Sequence, residues 1–544
     1  MMAEALFSHR GMYVASASHD GTARLWDVQT GLELQTFEGL GAGVSTVQFS
    51  PDDKRLLTAS RDGSVAIWDI VSGQRLASFL TGKDGDWLAM SRDGFFTTAH
   101  RDPKMLAIVH GTEVTSIAQV HQSLFNPDLL REALAGDPRG EVAQAARVIN
   151  LDKVIESGPP PAVNVTSHAP TLKTTSELET VTARVTDMGK GIGRVEWRVN
   201  GITVGVSSKP LGPGPHYEIK HTVALDRGEN IVEVAAYNAS NLLASPAARV
   251  RMFSESGPTI VKPRLHVLVI GINNYIDKGW HPPGAAGPVA FPPLALAAKD
   301  ATGLAAALKQ GGGKLYADVR VTTLVDGAAT FVGIERAIDG IAAGMHPRDS
   351  FIFFAAAHGT SENGRFYLIP QNFQSGPGAL ESSAIGQDRL QDWIANRIKA
   401  KRVVILLDTC ESGALVAGHT RSRIEGNTFE VGLGRLHEAT GRPVLTAAAS
   451  GQFAHEGVIA DSGERHGIFT WALLDAFRRA DADGNGTIEL SELVAHVQRM
   501  VPEIASRFRG TGRASVEALS PVIGQQSARF GSRGEDYALV EKSR

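Results

Sequence analysis

VVILLDTCESG, residues 403–413, decides how this chain is read. Five β-branched or branched apolar residues are followed by an acid, a hydroxyl and a thiol. An unbroken apolar run of this length, without alternation, fits a strand buried on both faces of a parallel sheet. Groups at the carboxyl end of such a strand face the crevice where open α/β sheets bind ligands. Cys410 is the only cysteine in 544 residues. A second apolar run, FIFFAAAHGT (351–360), ends in the same manner at His358-Gly359. A thiol and an imidazole at two strand ends are a candidate nucleophile and base.

The sequence around these two blocks alternates between strand and helix patterns. RLHVLVIGINNY (264–275) is a buried strand and a turn, and PLALAAKDATGLAAALKQ (293–310) a helix with Asp300 near its start. DVRVTTLVD, ATFVGIERAIDGIAA, the His358 block, DRLQDWIANRIKA and the Cys410 block continue the alternation. Strands separated by helices of ten or more residues predict a three-layer α/β domain with a mostly parallel sheet.

These ordered blocks resemble the caspase and metacaspase family of cysteine peptidases, clan CD. The resemblance covers roughly half the chain and extends to GRFYLIP (364–370), VLTAAASGQFAHEG (444–457), HGIFTWALLDAF (466–477) and a closing strand, GEDYALV (534–540). Glu411 stands where many metacaspases have His. The resemblance implies a Cys410–His358 dyad, with the backbone N–H groups of Gly359 and Cys410 as oxyanion donors. A free thiol ionises near pH ~8.5, so a neighbouring imidazole is what makes it a nucleophile at neutral pH. The family's two pocket acids match Asp300 and Asp408, which implies cleavage after Arg or Lys, because paired carboxylates favour a cation. The plainer readings are a helix-start acid for Asp300, a polar strand end for Asp408 and a core thiol for Cys410. The Arg-rich stretch GALVAGHTRSRIEGN (413–427) reads equally as a self-processing loop cut at Arg421 or Arg423, or as an ordinary surface loop.

DADGNGTIELSE (481–492) fits the calcium-loop template. Its ligands would be Asp481, Asp483, Asn485, the Thr487 carbonyl, Glu489 and a bidentate Glu492, with Gly486 at the sharp turn and Ile488 packed inward. Calcium is therefore an expected ligand, and a helix connector that keeps only the shape is the alternative. Peptide-bond chemistry itself requires no cofactor here.

The amino-terminal part is different. SHDGTARLWD (18–27) recurs 42 residues later as SRDGSVAIWD (60–69), and a degraded third copy is legible at 86–102. This resembles the WD-repeat propeller family, whose repeats run about 40–45 residues. Two clear copies are too few for a closed propeller of typically four to eight blades. The reading favours a truncated propeller, with additional blades encoded upstream of Met1. Helical patterns (126–136 and 140–155) lead to a Pro-rich linker at 157–163. From 163 to 253 the pattern is alternating, with a hairpin signal at Asn200-Gly201 and Trp197 as a core residue, predicting about seven strands in an immunoglobulin-like β-sandwich.

The expected organisation is thus multidomain: a partial WD-repeat β-propeller at 1–120, a helical connector at 121–158, a β-sandwich at 159–255 and a caspase-like domain at 262–544. A formal charge of −4, with 54 basic and 58 acidic residues, offers no nucleic-acid footprint. No run approaches the ~18 apolar residues of a membrane span, and the start lacks a signal pattern. One cysteine excludes an internal disulfide. The expected function is a cysteine endopeptidase acting on proteins or peptides in the cytoplasm, with protein partners on the WD repeats. The alternative is a catalytically silent scaffold binding through propeller and sandwich.

Overall fold

The fold is taken from a computed structural model, which describes residues 2–542 except 40, 83–84, 100–102, 104–106, 111–112, 139, 208–214, 256–261, 278–290, 292, 363–364, 377, 412–441, 448–455, 459–464 and 509–535. Arg421 and Arg423 lie outside the described residues. The chain divides into two compact units, residues 1–159 with 242–244, and residues 160–241 with 245–544.

The first unit contains the repeats. Met2–Phe7, Tyr13–Ser18, Ala23–Asp27 and Glu33–Phe37 form one antiparallel sheet of four strands in sequence order. In each clear copy the Asp-Gly turn is closed by its own acid: Asp20 Oδ1 accepts from Thr22 N, and Asp62 Oδ1 from Ser64 N, both at 2.9 Å. The glycines supply the left-handed turn, with φ of 90° at Gly21 and 86° at Gly63. Each repeat tryptophan donates its indole N–H to a hydroxyl ten residues earlier, Trp26 to Ser16 and Trp68 to Thr58, at 2.9 Å. The degraded third copy does not make a third blade. Its strands Trp87–Ser91 and Phe96–Thr98 extend the second sheet, whose order places them beyond Arg75–Thr81. Four helices follow, Ile117–Leu124, Pro127–Leu134, Glu141–Val148 and Leu151–Glu156; the first begins ahead of the expected start.

The second unit begins with two sheets, one of three strands and one of five. That is eight strands among the described residues, one more than expected, because Thr171–Thr174 adds in parallel to Ala248–Ser254. The Asn200-Gly201 hairpin has positive φ at both residues, 52° and 83°, as a two-residue type I′ turn requires. Trp197 is buried in a core shared by the two sheets.

The central sheet of the remaining region runs Val319–Val325, Leu265–Gly271, Ser350–Glu362, Arg402–Glu411 and Val444–Thr446, with every neighbouring pair parallel. Arg365–Leu368 returns antiparallel on the end of the His358 strand. Apolar side chains alternate between two cores. Phe351, Phe353, Val403 and Ile405 join the one containing helix Phe331–Ala343. Ile352, Phe354, Val404 and Leu406 join the one containing helices Ala297–Gly311 and Ile468–Arg479. Burial on both faces explains why these strands carry no polar alternation. Gly271 lets the first helix close on the sheet, since a Cβ there would lie 2.4 Å from the Ala297 carbonyl oxygen. Ala538–Glu541 pairs with Thr487–Glu489 of the calcium loop, so it does not extend the central sheet.

Candidate active site

The parallel register sets His358 directly opposite Cys410, and Gly359 opposite Glu411. Thus two residues 52 positions apart in sequence end up adjacent on neighbouring strands. His358 is fully buried. Its backbone N–H donates to the Tyr275 hydroxyl at 2.7 Å, and its carbonyl accepts from Ile369 N at 3.0 Å. The imidazole packs against the rings of Tyr275 and Phe291, with centroids 5.0 and 5.4 Å away. Strand ends are thereby fixed from both sides: by the sheet and by the turn after Gly271. That turn is itself held. Asp326 accepts from the N–H groups of Asn273 and Asn274, and Asn273 Oδ1 accepts from Ala298 N, capping the Asp300 helix.

Asp300 and Asp408 converge on one glycine. A Cβ on Gly467 would lie 3.0 Å from Asp300 Oδ2 and 3.2 Å from Asp408 Oδ2. Both acids are buried and hydrogen-bonded. Asp300 accepts from Gly467 N at 3.1 Å and sits 2.7 Å from His466 Nδ1. Asp408 accepts from the Thr470 hydroxyl at 2.7 Å. Burial pushes the Asp300 carboxyl above its usual range, against the opposing pull of His466 and the Gly467 N–H. The two carboxyls thus meet at Gly467, at the start of helix Ile468–Arg479.

His466, Gly467, Thr470 and Tyr275 were missed as site residues by the sequence reading. Each lies in a block already singled out. The signal was present in HGIFTWALLDAF, where a His, a Gly and a Thr precede or interrupt the apolar face of a helix. Polar residues on the buried side of a helix start need a partner, and the two acids are that partner.

The 481–492 loop brings three of its six expected ligands together. Oxygens of Asp481, Asp483 and Glu492 lie within 4.8 Å of one another. Gly484 and Gly486 have positive φ, 76° and 85°. Asp481 Oδ1 and Glu489 Oε2 are buried and lack a hydrogen-bond partner. Such orphaned carboxylate oxygens are costly unless a cation meets them. Burial, with the Glu489 carboxyl beside it, raises the Glu492 carboxyl above its usual range. Ile488 is fully buried against the closing strand. Asn485 Oδ1 accepts from Thr487 N at 2.7 Å. The donor set fits a hard divalent cation with oxygen ligands.

Residues 264–523 match the family model of the caspase domain, peptidase family C14. Residues 2–27 and 31–69 match the WD domain, G-beta repeat. Among solved structures, the crystal structure of protein GSU0716 from Geobacter sulfurreducens is similar at 18% identity and a TM-score of 0.28, covering 44% of this chain and 89% of that one. No curated protein matches the chain. Among the described residues no helix is long and apolar enough to cross a membrane.

Proposed function

We propose that the caspase domain of this chain is a cysteine endopeptidase that cuts after Arg or Lys. Cys410 is the nucleophile and His358 the acid–base partner. The Cys410 thiolate attacks the scissile carbonyl carbon, and the oxyanion is met by the N–H groups of Gly359 and Cys410. His358 then protonates the leaving amine as the C–N bond breaks, leaving a thioester. Water, deprotonated by His358, hydrolyses the thioester and returns the free thiol. Tyr275 and Phe291 around the imidazole limit its contact with bulk water.

The observation that carries this reading is the strand register opposing His358 to Cys410, on a sheet whose neighbouring acids, Asp300 and Asp408, converge on Gly467. A substrate guanidinium competes with His466 for Asp300, while Thr470 keeps Asp408 oriented. Arg421 and Arg423 are self-processing sites in this reading. Asp481, Asp483, Asn485, Thr487, Glu489 and Glu492 hold Ca2+, which would neutralise the clustered carboxylates and tie the loop to the closing strand. The WD repeats supply a protein-binding surface, and the protein works in the cytoplasm.

A silent scaffold is the second reading, favoured by the complete burial of His358. The two are separated by covalent labelling with a peptidyl-arginine chloromethyl ketone, read by mass spectrometry. Peptidase function predicts modification of Cys410 that is abolished in His358→Ala and weak with the aspartyl analogue. Absence of labelling by the arginyl probe, with Cys410 still reactive to iodoacetamide, would establish the scaffold.

A further inference from the structure

The closing strand delivers a cation into the calcium loop. Thr487 lies opposite Glu541, Ile488 opposite Val540 and Glu489 opposite Ala538. The next residue, Lys542, donates its backbone N–H to the Gly486 carbonyl at 3.1 Å, and its Nζ lies 3.3 Å from Asp481 Oδ2. The Asp481 side chain is 3% exposed, and that of Lys542 is 44% exposed. Asp481 occupies the first ligand position of the loop. Its other oxygen, Oδ1, is buried with no partner, as is Glu489 Oε2. Asp483, Glu489 Oε1 and Glu492 accept hydrogen bonds from the loop itself, and the Lys542 ammonium answers Asp481 Oδ2. A divalent ion with oxygen ligands would meet the two oxygens left over, Asp481 Oδ1 and Glu489 Oε2, in competition with the Lys542 ammonium on Asp481.

Resting on the calcium reading above, we propose that Lys542 is a tethered competitor of Ca2+, displaced from Asp481 when the metal binds. Two consequences follow from one event. Calcium affinity is lowered by the positive charge at 542, and calcium binding frees the Lys542 ammonium to solvent. The carboxyl-terminal strand thus takes part in the site both as the sheet partner of the loop and as the source of its resident cation.

The test is calorimetric titration of CaCl2 into the full chain, the Lys542→Met variant and the Glu492→Gln variant, with acetylation of Lys542 by an N-hydroxysuccinimide ester followed in parallel by mass spectrometry. Lys542→Met, which keeps the length of the stem, should bind about 1.5- to fivefold more tightly, as expected for loss of a partly exposed competing charge. Acetylation of Lys542 should rise when calcium is added to the unmodified chain and stay constant in Glu492→Gln. Equal affinities for the unmodified chain and Lys542→Met, or acetylation unchanged by bound calcium, would overturn the role of Lys542 alone. No binding heat in any of the three would remove the calcium site itself.

Discussion

Gly467→Ala places a methyl group between the two acids and nowhere else. The added carbon would stand 3.0 Å from Asp300 Oδ2 and 3.2 Å from Asp408 Oδ2, both closer than ordinary van der Waals contact. The backbone does not object, because Gly467 has φ −57° and precedes a helix. Crowding of this kind costs about 1–3 kcal/mol, and the reduced freedom of the unfolded chain returns about 0.4–1 kcal/mol. A net loss of about 1–2 kcal/mol should lower Tm by a few degrees in a domain of this size. The functional effect should be larger. The methyl fills the space a substrate cation must enter, and a lost charge-assisted contact of ~1.5–3 kcal/mol corresponds to a fall of about 10- to 100-fold in kcat/KM for an arginyl peptide. Gly340→Ala is the control: it sits in helix Phe331–Ala343 with open space where the Cβ would go, and should leave kinetics unchanged. The assay is a fluorogenic arginyl peptide series alongside thermal unfolding. Full kcat/KM in Gly467→Ala, with the Tm lowered as expected, would refute the assignment of Asp300 and Asp408 to the substrate pocket.

Thr470→Val deletes a buried 2.7 Å hydrogen bond to Asp408 with little change in volume; chemical denaturation should show a loss of about 1.5–3 kcal/mol. Burial holds the Asp300 carboxyl above its usual range, so its protonated form favours the fold. That stability is present below the unfolded value of ~3.9 and is lost as pH rises through the folded value. The Tm of the unmodified chain relative to Asp300→Asn should fall as pH rises, and the acid limb of kcat/KM for arginyl peptides should lie above the ordinary carboxylate range. Asn396→Ala removes two 2.7 Å hydrogen bonds to the Val206 backbone, one donated and one accepted. It should lower stability by about 1–2 kcal/mol, discounted because Asn396 is exposed, as read by thermal unfolding.

The candidate dyad was legible because its chemistry is local to two strand ends. An unbroken apolar run fixes a buried strand, and the residue that terminates it inherits the sheet edge. Registers between strands are another matter. Nothing in VVILLDTCESG specifies that position 410 pairs with 358, since that depends on how far each strand is pulled by the helices packed on it. The pocket was half legible. Asp300 and Asp408 could be named, but their partners could not, because His466, Gly467 and Thr470 reach them from 166, 167 and 62 residues away. The third WD copy misled for a physical reason. Its Asp-Gly turn is intact, with Gly94 at φ 92°, yet its last strand is three residues long and cannot sustain a sheet of its own. The 481–492 loop was legible as a turn between two helices, whereas its strand partner was not: GEDYALV reads as an apolar strand, and its place beside Thr487–Glu489 is decided by tertiary packing of Ile488 and Val540.

The proposed function stands on Cys410 and His358 acting as a peptidase dyad beside the Asp300–Asp408 pair. Its most direct measurement is the release of fluorophore from matched peptides ending in Arg, Lys or Asp before the scissile bond, by the full chain and by Cys410→Ala. The account predicts turnover after Arg and Lys, little or none after Asp, and no turnover of any peptide by Cys410→Ala. Cleavage after Asp at a comparable rate, or arginyl turnover that survives Cys410→Ala, would contradict it.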